Sequence, residues 1–359
     1  QAPVALGGFL LAVVSLPGGL TAKDRPALRH RLSLLPGAQR TIDGSDNNRA
    51  HPDWGRADEP YLRLVPPAYP DGQGSPAGAD RPGAREVSNA VAAESGSQPN
   101  ERGATDYLWQ WGQFLDHDID ETPTVDPPEP FDIAVPTGDP SFDPAGTGTA
   151  VIPLNRSSYN LVDGVRQQVN LISAWIDASN VYGSDEERAH ALRTNDGTGR
   201  LRTTPSAHGE LLPYNIAGLP NAPSNSPEFF LAGDVRANEQ VGLTAMHTLF
   251  VREHNHWAGR YAAHHPEAGG EEIYQFARQL VAAEMQAITY NEFLPTLLGR
   301  GALPRYRGYR PEVNATISNL FAGAAYRMGH SLLSPTLLRI DEHGDEIPAG
   351  HLPLTEAFF

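Results

Sequence analysis

Steps of three and four dominate the second half of the chain. Leu243, Met246, His247, Leu249, Phe250, Glu253, His254 and Trp257 follow that spacing, which marks a long helix. Ile273, Phe276, Ala277, Leu280, Val281, Met285, Ile288 and Leu294 repeat it within a second helix over residues 271–298, and residues 313–333 read as a third. An earlier helix opens at Thr105 or Asp106, either of which could cap it, and runs to about Asp118. Elsewhere the period fails. Turn signals recur through residues 36–104, at Asp43-Gly44, Pro70-Asp71-Gly72 and Pro82-Gly83, and Tyr61, Leu62, Leu64 and Val65 are expected to anchor that segment on a core. Residues 122–153 hold eight prolines and read as a long loop, while two-residue alternation returns weakly over residues 169–181. No internal repeat or linker divides the chain. The expected architecture is mainly α, a single large domain over residues 36–359 with long loops and little β.

Residues 3–22 are apolar and end in small residues before Lys23 and Asp24, like the apolar core and cleavage end of a signal peptide. Gly7, Gly8, Pro17, Gly18 and Gly19 break the stretch as a spanning helix, so no stable membrane span is expected. Residues 1–35 therefore stand apart as a signal-like segment, and the expectation is a secreted, extracellular or periplasmic protein.

Composition narrows the chemistry. The 359 residues include no cysteine, which excludes disulfides, thiolate metal sites and thiol nucleophiles. With 43 acidic against 27 basic residues the net charge is −16, which argues against a nucleic-acid partner and suits a hard cation such as calcium. The densest polar constellation lies in Trp109-Gln110-Trp111-Gly112-Gln113-Phe114-Leu115-Asp116-His117-Asp118. On a helix Gln113 and His117 share a face, with Asp116 and Asp118 to either side. An imidazole among carboxylates in apolar surroundings is costly for a helix that only packs. A solvated helix end would explain the same residues, and spacing alone leaves both readings open.

The wider order of motifs decides between them. WQWGQFLDHDID, SAWIDASNVYGSDEE, FLAGDVRANEQVGLTAMHTLFVREHN and YRMGHSLLSP, opened by RTIDGSDNNRAHPDWG, resemble the animal haem peroxidase superfamily from about Arg40 onward. The resemblance implies a haem-peroxidase-like helical domain carrying haem b, and a continuation beyond residue 359. His117 corresponds to the distal histidine, which takes a proton from bound hydrogen peroxide and returns it to the leaving oxygen. Arg236 matches the catalytic arginine, and Gln113 a distal hydrogen-bonding residue. Asp116 and Glu239 match carboxylates that form esters to haem in many members. Gln240 stands where some members carry a sulfonium-forming methionine, so that third link is absent. His330 corresponds to the proximal iron ligand, and Arg327 to a residue near a haem propionate.

A calcium site is implied in the same way. Asp118, Ser173, Asp177 and Ser179, with the Trp175 carbonyl, match the family's all-oxygen ligand set. His254 falls in the REHN element and reads as hydrogen-bonded scaffold rather than a metal ligand. The activity implied is peroxide-driven oxidation of halides, thiocyanate or small phenols through an oxo-iron porphyrin-radical intermediate. Fatty-acid dioxygenases of the same superfamily need a radical tyrosine three residues before the proximal histidine; here that position is Arg327, and Tyr326 lies four before. A non-enzymatic calcium-stabilised adhesion module is the other alternative. Oligomeric state is not legible.

Overall fold

The computed structural model describes residues 39–358, so the signal-like segment lies outside the described residues. Eight α-helices appear among them: α1 (Ala84–Val91), α2 (Tyr107–Ile119), α3 (Ser179–Tyr182), α4 (Glu186–Leu192), α5 (Val241–His264), α6 (Gly270–Ile288), α7 (Leu294–Leu298) and α8 (Asn319–Gly323). The mainly helical expectation holds. The core is built where α2 meets the long pair α5 and α6. Phe114 of α2 stacks on Phe250 of α5 at 5.1 Å between ring centres, and Trp111 tilts against Phe250 at 5.8 Å. Leu243, Val251, Val281 and Met285 fill the space around them. A smaller cluster of Ala258, Tyr261, Ile273, Phe276 and Ala277 joins the other ends of α5 and α6.

Helix α5 extends the predicted residues 243–257 in both directions, and α2 begins one residue after Asp106. The second predicted helix is interrupted. Its apolar period continues to Leu294, but Thr289–Phe293 forms a π turn before α7. The extra residue in such a turn rotates the chain that follows. Phe293 is thereby buried against α2 beside Gly112, where an added Cβ would lie 3.6 Å from the ring. Trp111 Nε1 donates to Thr289 Oγ1 at 3.3 Å in the same contact.

The third predicted helix, over residues 313–333, is corrected. The Ser318 side chain accepts from Phe321 N and starts α8 there. Upstream, Leu62 N donates to Ile317 O and Asn319 N to Leu62 O, a backbone pairing that takes residues 317–319 out of reach of a longer helix. Ala324 then leaves the helical region at φ −138° and ψ −64°, and Ala325–Leu332 follows as a 3₁₀ segment. Tyr61 is buried as expected, but Leu64 and Val65 are 61% and 62% exposed and anchor nothing. They precede Pro66 and Pro67, where the chain turns to the surface.

Short strands β1 (Glu59–Pro60), β2 (Ile133–Ala134), β3 (Val151–Ile152), β4 (Tyr159–Val162) and β5 (Val165–Asn170) supply most of the β structure. A three-stranded antiparallel sheet runs β1-β5-β4. Its β4–β5 hairpin closes through Asp163-Gly164, both at positive φ, as a two-residue turn matching strand twist requires. The proline-rich loop is irregular apart from the β2–β3 pair and single bridges from Thr124 to Ser157 and from Pro130 to Asn155. The alternation over residues 169–181 ends at Asn170; Ala178, at φ 66°, redirects the chain into α3.

Candidate active site

Helix α2 carries most of the site because it is buried on nearly every side, polar residues included. Gln110, Asp116, His117 and Asp118 are all buried beside Trp109, Phe114 and Leu115. Such groups are stable inside only if paired, or if something else completes them. The pairing comes mainly from the loop before α5. Asp234, 2% exposed, accepts from Arg236 at three donors: the backbone N at 2.8 Å, Nε at 2.9 Å and a terminal nitrogen at 2.7 Å. The same guanidinium donates to Asp120 O at 3.0 Å and stands 3.8 Å from Asp116 Oδ2. Burial alone would lower the Arg236 pKa, but Asp234 overrides it and the cation is held charged.

His117 sits between these groups. Its Nδ1 lies 3.4 Å from Asp234 Oδ1 without a formed hydrogen bond, and its Nε2 lies 3.7 Å from Glu239 Oε2. Burial, followed by the Arg236 charge, pushes its pKa well below the ordinary imidazole value. The ring is therefore neutral. Glu239 is raised, chiefly by burial, although it accepts from Gln113 Nε2 at 3.0 Å.

Gln240 joins this edge in a way its replacement of methionine did not announce. Its side-chain oxygen accepts from Gly242 N at 2.7 Å and so caps α5. Its amide nitrogen donates to Gln110 Oε1 at 2.6 Å and Gln113 Oε1 at 3.1 Å. An amide ladder thus runs from Gln110 through Gln240 and Gln113 to Glu239.

Arg327 reaches α2 from the 3₁₀ segment. It forks between Asp116 Oδ2 at 2.9 Å and Asp120 Oδ1 at 2.7 Å, and Tyr326 OH donates to Gly112 O at 3.1 Å. Burial and the neighbouring Asp116 push Asp120 up to about 8. Gln113, Asp116, His117, Arg236, Glu239 and Arg327 therefore converge on one network. His330 does not join it. It lies exposed near the end of the same 3₁₀ segment, and its ring has no hydrogen bond or ion pair with a described residue.

The predicted calcium residues form a second, adjoining cluster. Asp118, Ser173, Asp177 and Ser179 are all buried. Ser173 Oγ donates to Asp177 Oδ2 at 2.8 Å, Ser179 Oγ to Asp118 O at 2.9 Å, and Asn180 N to Asp118 Oδ1 at 3.3 Å. Trp175 contributes its carbonyl, which accepts from Asp177 N, while its indole donates to Trp54 O. Burial and then the Asp177 charge push Asp118 well up. Among the described residues no group of three or more His, Asp or Glu comes together as a metal site. This set holds two carboxylates and relies on hydroxyl and carbonyl oxygens.

Two residues were missed in the sequence, and a third, His247, was seen only as part of a helical period. Asp234 was visible only as the residue two before Arg236 in GDVRANE, and Asp120 as the last aspartate of DHDID. His247 is fully buried, edge-on to Phe114 at 5.0 Å, and lacks a well-formed hydrogen bond although the Asn180 backbone is near. His254 is scaffold as expected, bridging Tyr182 OH and Gly199 O at 2.9 Å each.

The group that the resemblance implies fits these residues. Asp116 Oδ1 is buried without a hydrogen bond, and an unpartnered buried polar group costs about 1–3 kcal/mol. It belongs to a residue expected to lie at the edge of haem.

Comparison with known proteins agrees. The family described as animal haem peroxidase matches residues 39–359. The peroxidasin homolog of Mus musculus is 38% identical over 368 aligned residues, covering 89% of this chain and 24% of that protein. Thyroid peroxidase of Sus scrofa is 34% identical, covering 98% of this chain and 43% of that protein. The chain thus spans about a quarter and less than half of these two relatives. Among solved structures, peroxidase A from Dictyostelium discoideum superposes with a TM-score of 0.81 at 31% identity, covering 89% of this chain and 64% of that one. A fatty acid alpha-dioxygenase from Arabidopsis thaliana shares the fold, with a TM-score of 0.67 at 17% identity, over 90% of this chain and 52% of that one. Identity and fold agree along one continuous stretch, and this chain belongs to the animal haem peroxidase family.

Proposed function

We propose that the chain is the catalytic part of a haem peroxidase that uses hydrogen peroxide to oxidise halides, thiocyanate or small phenolic donors. The observation that carries this reading is His117: a buried, neutral imidazole beside a cation that Asp234 fixes in place. Asp116 and Glu239 would hold the edge of a haem b, as ester links or as carboxylates, with Arg327 at a propionate and His330 on the iron. Haem, when bound, supplies the redox centre at which peroxide is reduced. The negative Asp234 beside Nδ1 favours the tautomer protonated there and leaves Nε2 as the basic atom. Nε2 then accepts a proton from peroxide and returns it to the departing oxygen. Arg236 lowers the energy of negative charge developing beside it, without reorganising. Gln113, held by Glu239 and Gln240, orients a donor or ligand on that side.

Calcium belongs to the same proposal. Asp118 and Asp177 are buried together, and a divalent cation among their oxygens and those of Ser173, Ser179 and Trp175 would offset that cost. Because Asp118 adjoins His117, the ion would also fix the catalytic ring. The described residues contain no helix long and apolar enough to cross a membrane. With the signal-like residues 1–35 preceding a peroxidase domain over residues 36–359, we place the protein outside the cell.

Supplying haem and recording the spectrum tests this reading. A Soret band with peroxide-dependent oxidation of guaiacol or bromide is expected. No Soret shift, or oxygen uptake with linoleate instead, would overturn it. Exhaustive chelation is expected to release haem or lower activity; unchanged activity would remove calcium from the account.

A further inference from the structure

In a chain of net charge −16, residues 300–310 run against the rest. Arg300, Arg305, Arg307 and Arg310 fall within eleven positions, and the first acidic residue after them is Glu312. Every residue from 300 to 313 is exposed, with Tyr306 at 80% and Tyr309 at 57%. The one ion pair here among the described residues is loose, Arg310 Nε to Glu312 Oε1 at 3.9 Å, and Arg300, Arg305 and Arg307 pair with no described residue. Arg102 donates to the Thr296 and Leu297 carbonyls and adds a fifth guanidinium at the start of the segment. Asn48 Nδ2 holds its far end through Pro311 O at 2.8 Å. Between these anchors, residues 303–309 make no backbone hydrogen bond with a described residue.

We propose that residues 300–310 are a docking site for an acidic peptide segment of a partner protein. Guanidinium groups are matched to carboxylates by paired donors, so unpartnered arginines favour that anion. Free main-chain donors and acceptors let a peptide add backbone hydrogen bonds alongside them. Tyr306 and Tyr309 supply apolar ring faces between the charges. The remainder of the molecule selects against larger polyanions. A duplex or an anionic bilayer extends beyond the roughly 8–10 Å over which salt screens charge. It would therefore meet the acidic surface as well as the basic segment. A short peptide meets the segment alone. Nothing in this surface involves haem, so it stands whether or not the peroxidase reading does.

The test uses the purified protein, with haem where it binds and without it otherwise, and a fluorescein-labelled eight-residue peptide alternating Glu and Thr, followed by anisotropy. Saturable binding is expected, weakened about tenfold or more by raising salt to about 0.5 M, and equally by Arg305→Glu with Arg307→Glu. The peptide alternating Lys and Thr should not bind. Circular dichroism, and the Soret band where haem is bound, should be unchanged in the double variant; Arg307→Gln alone serves if it folds poorly. Peptide binding that the variants leave intact overturns the proposal. So does tighter binding of a heparin octasaccharide, oligothymidine or phosphatidylserine vesicles, or salt-sensitive self-association in sedimentation that excludes the peptide.

Discussion

Asp234→Asn isolates the charge on which the site depends. The carboxylate is 1% exposed at its side chain and receives three hydrogen bonds from Arg236, whose own side chain is 21% exposed. Removing one partner of a buried ion pair costs about 3–5 kcal/mol, and the partial exposure of Arg236 selects the low end, about 3 kcal/mol. With about 320 described residues, unfolding entropy near 2.1 cal/mol/K per residue totals roughly 0.7 kcal/mol/K, so the midpoint should fall by about 4 °C. The pH dependence fixes the sign. Although burial opposes it, the Arg236 charge and the hydrogen bonds from Arg236 hold the Asp234 carboxyl below the usual carboxylate range. Its stabilisation is thus present above the unfolded pKa near 3.9 and is lost as pH falls through the folded value. Calorimetry at pH 7 should show the full difference between wild type and variant, and below about pH 4 the two should begin to converge. Pairing the change with Arg236→Gln should recover part of the loss, since neither buried charge then remains unmatched. A midpoint shift under about 1 °C, or strict additivity of the two changes, would refute the assignment.

Three further outcomes follow from other parts of the molecule. His117→Gln should keep the Soret band while slowing peroxide consumption by about 10²–10⁴-fold, read by stopped-flow absorbance. Gly233→Ala should lower stability by about 3 kcal/mol in thermal melts, because its new methyl would lie within 2.5 Å of Tyr182 N and against the Ser179 carbonyl. Burial, with Glu253 beside it, pushes Glu284 up to about 7, so wild-type stability should decline as pH rises from about 4.5 through 7. Glu284→Gln, which keeps an acceptor for Trp257 Nε1, should flatten that decline by on the order of 1 kcal/mol in pH-dependent melts.

The long helices were legible because burial imposes a period that residues such as Leu243, Phe250, Val281 and Met285 obey. The π turn was not, since the apolar period runs on from Ile288 to Leu294 and only contact with Gly112 shows where the phase must slip. Residues 313–333 misled for a related reason. Their apolar spacing suits a helix, but a backbone pairing with Leu62, more than 250 residues earlier in the chain, claims part of them. The site was legible through ordered motifs, which named His117, Arg236 and Glu239 without saying what holds them. Asp234 and Asp120 gained their roles only on folding, when α2, the loop before α5 and the 3₁₀ segment brought opposite charges together.

The amide ladder along Gln110, Gln240 and Gln113 also bears on wear. Sulfur side chains are readily oxidised, and this edge of the site contains none. Met246 and Met285 are buried in the core and no cysteine exists to be consumed, which leaves Met328, 38% exposed beside Arg327, as the accessible sulfur. Carboxamides neither titrate near neutrality nor surrender electrons easily, so the three glutamines form an edge that resists oxidation. What the missing methionine forfeits in tethering, the glutamine returns as endurance.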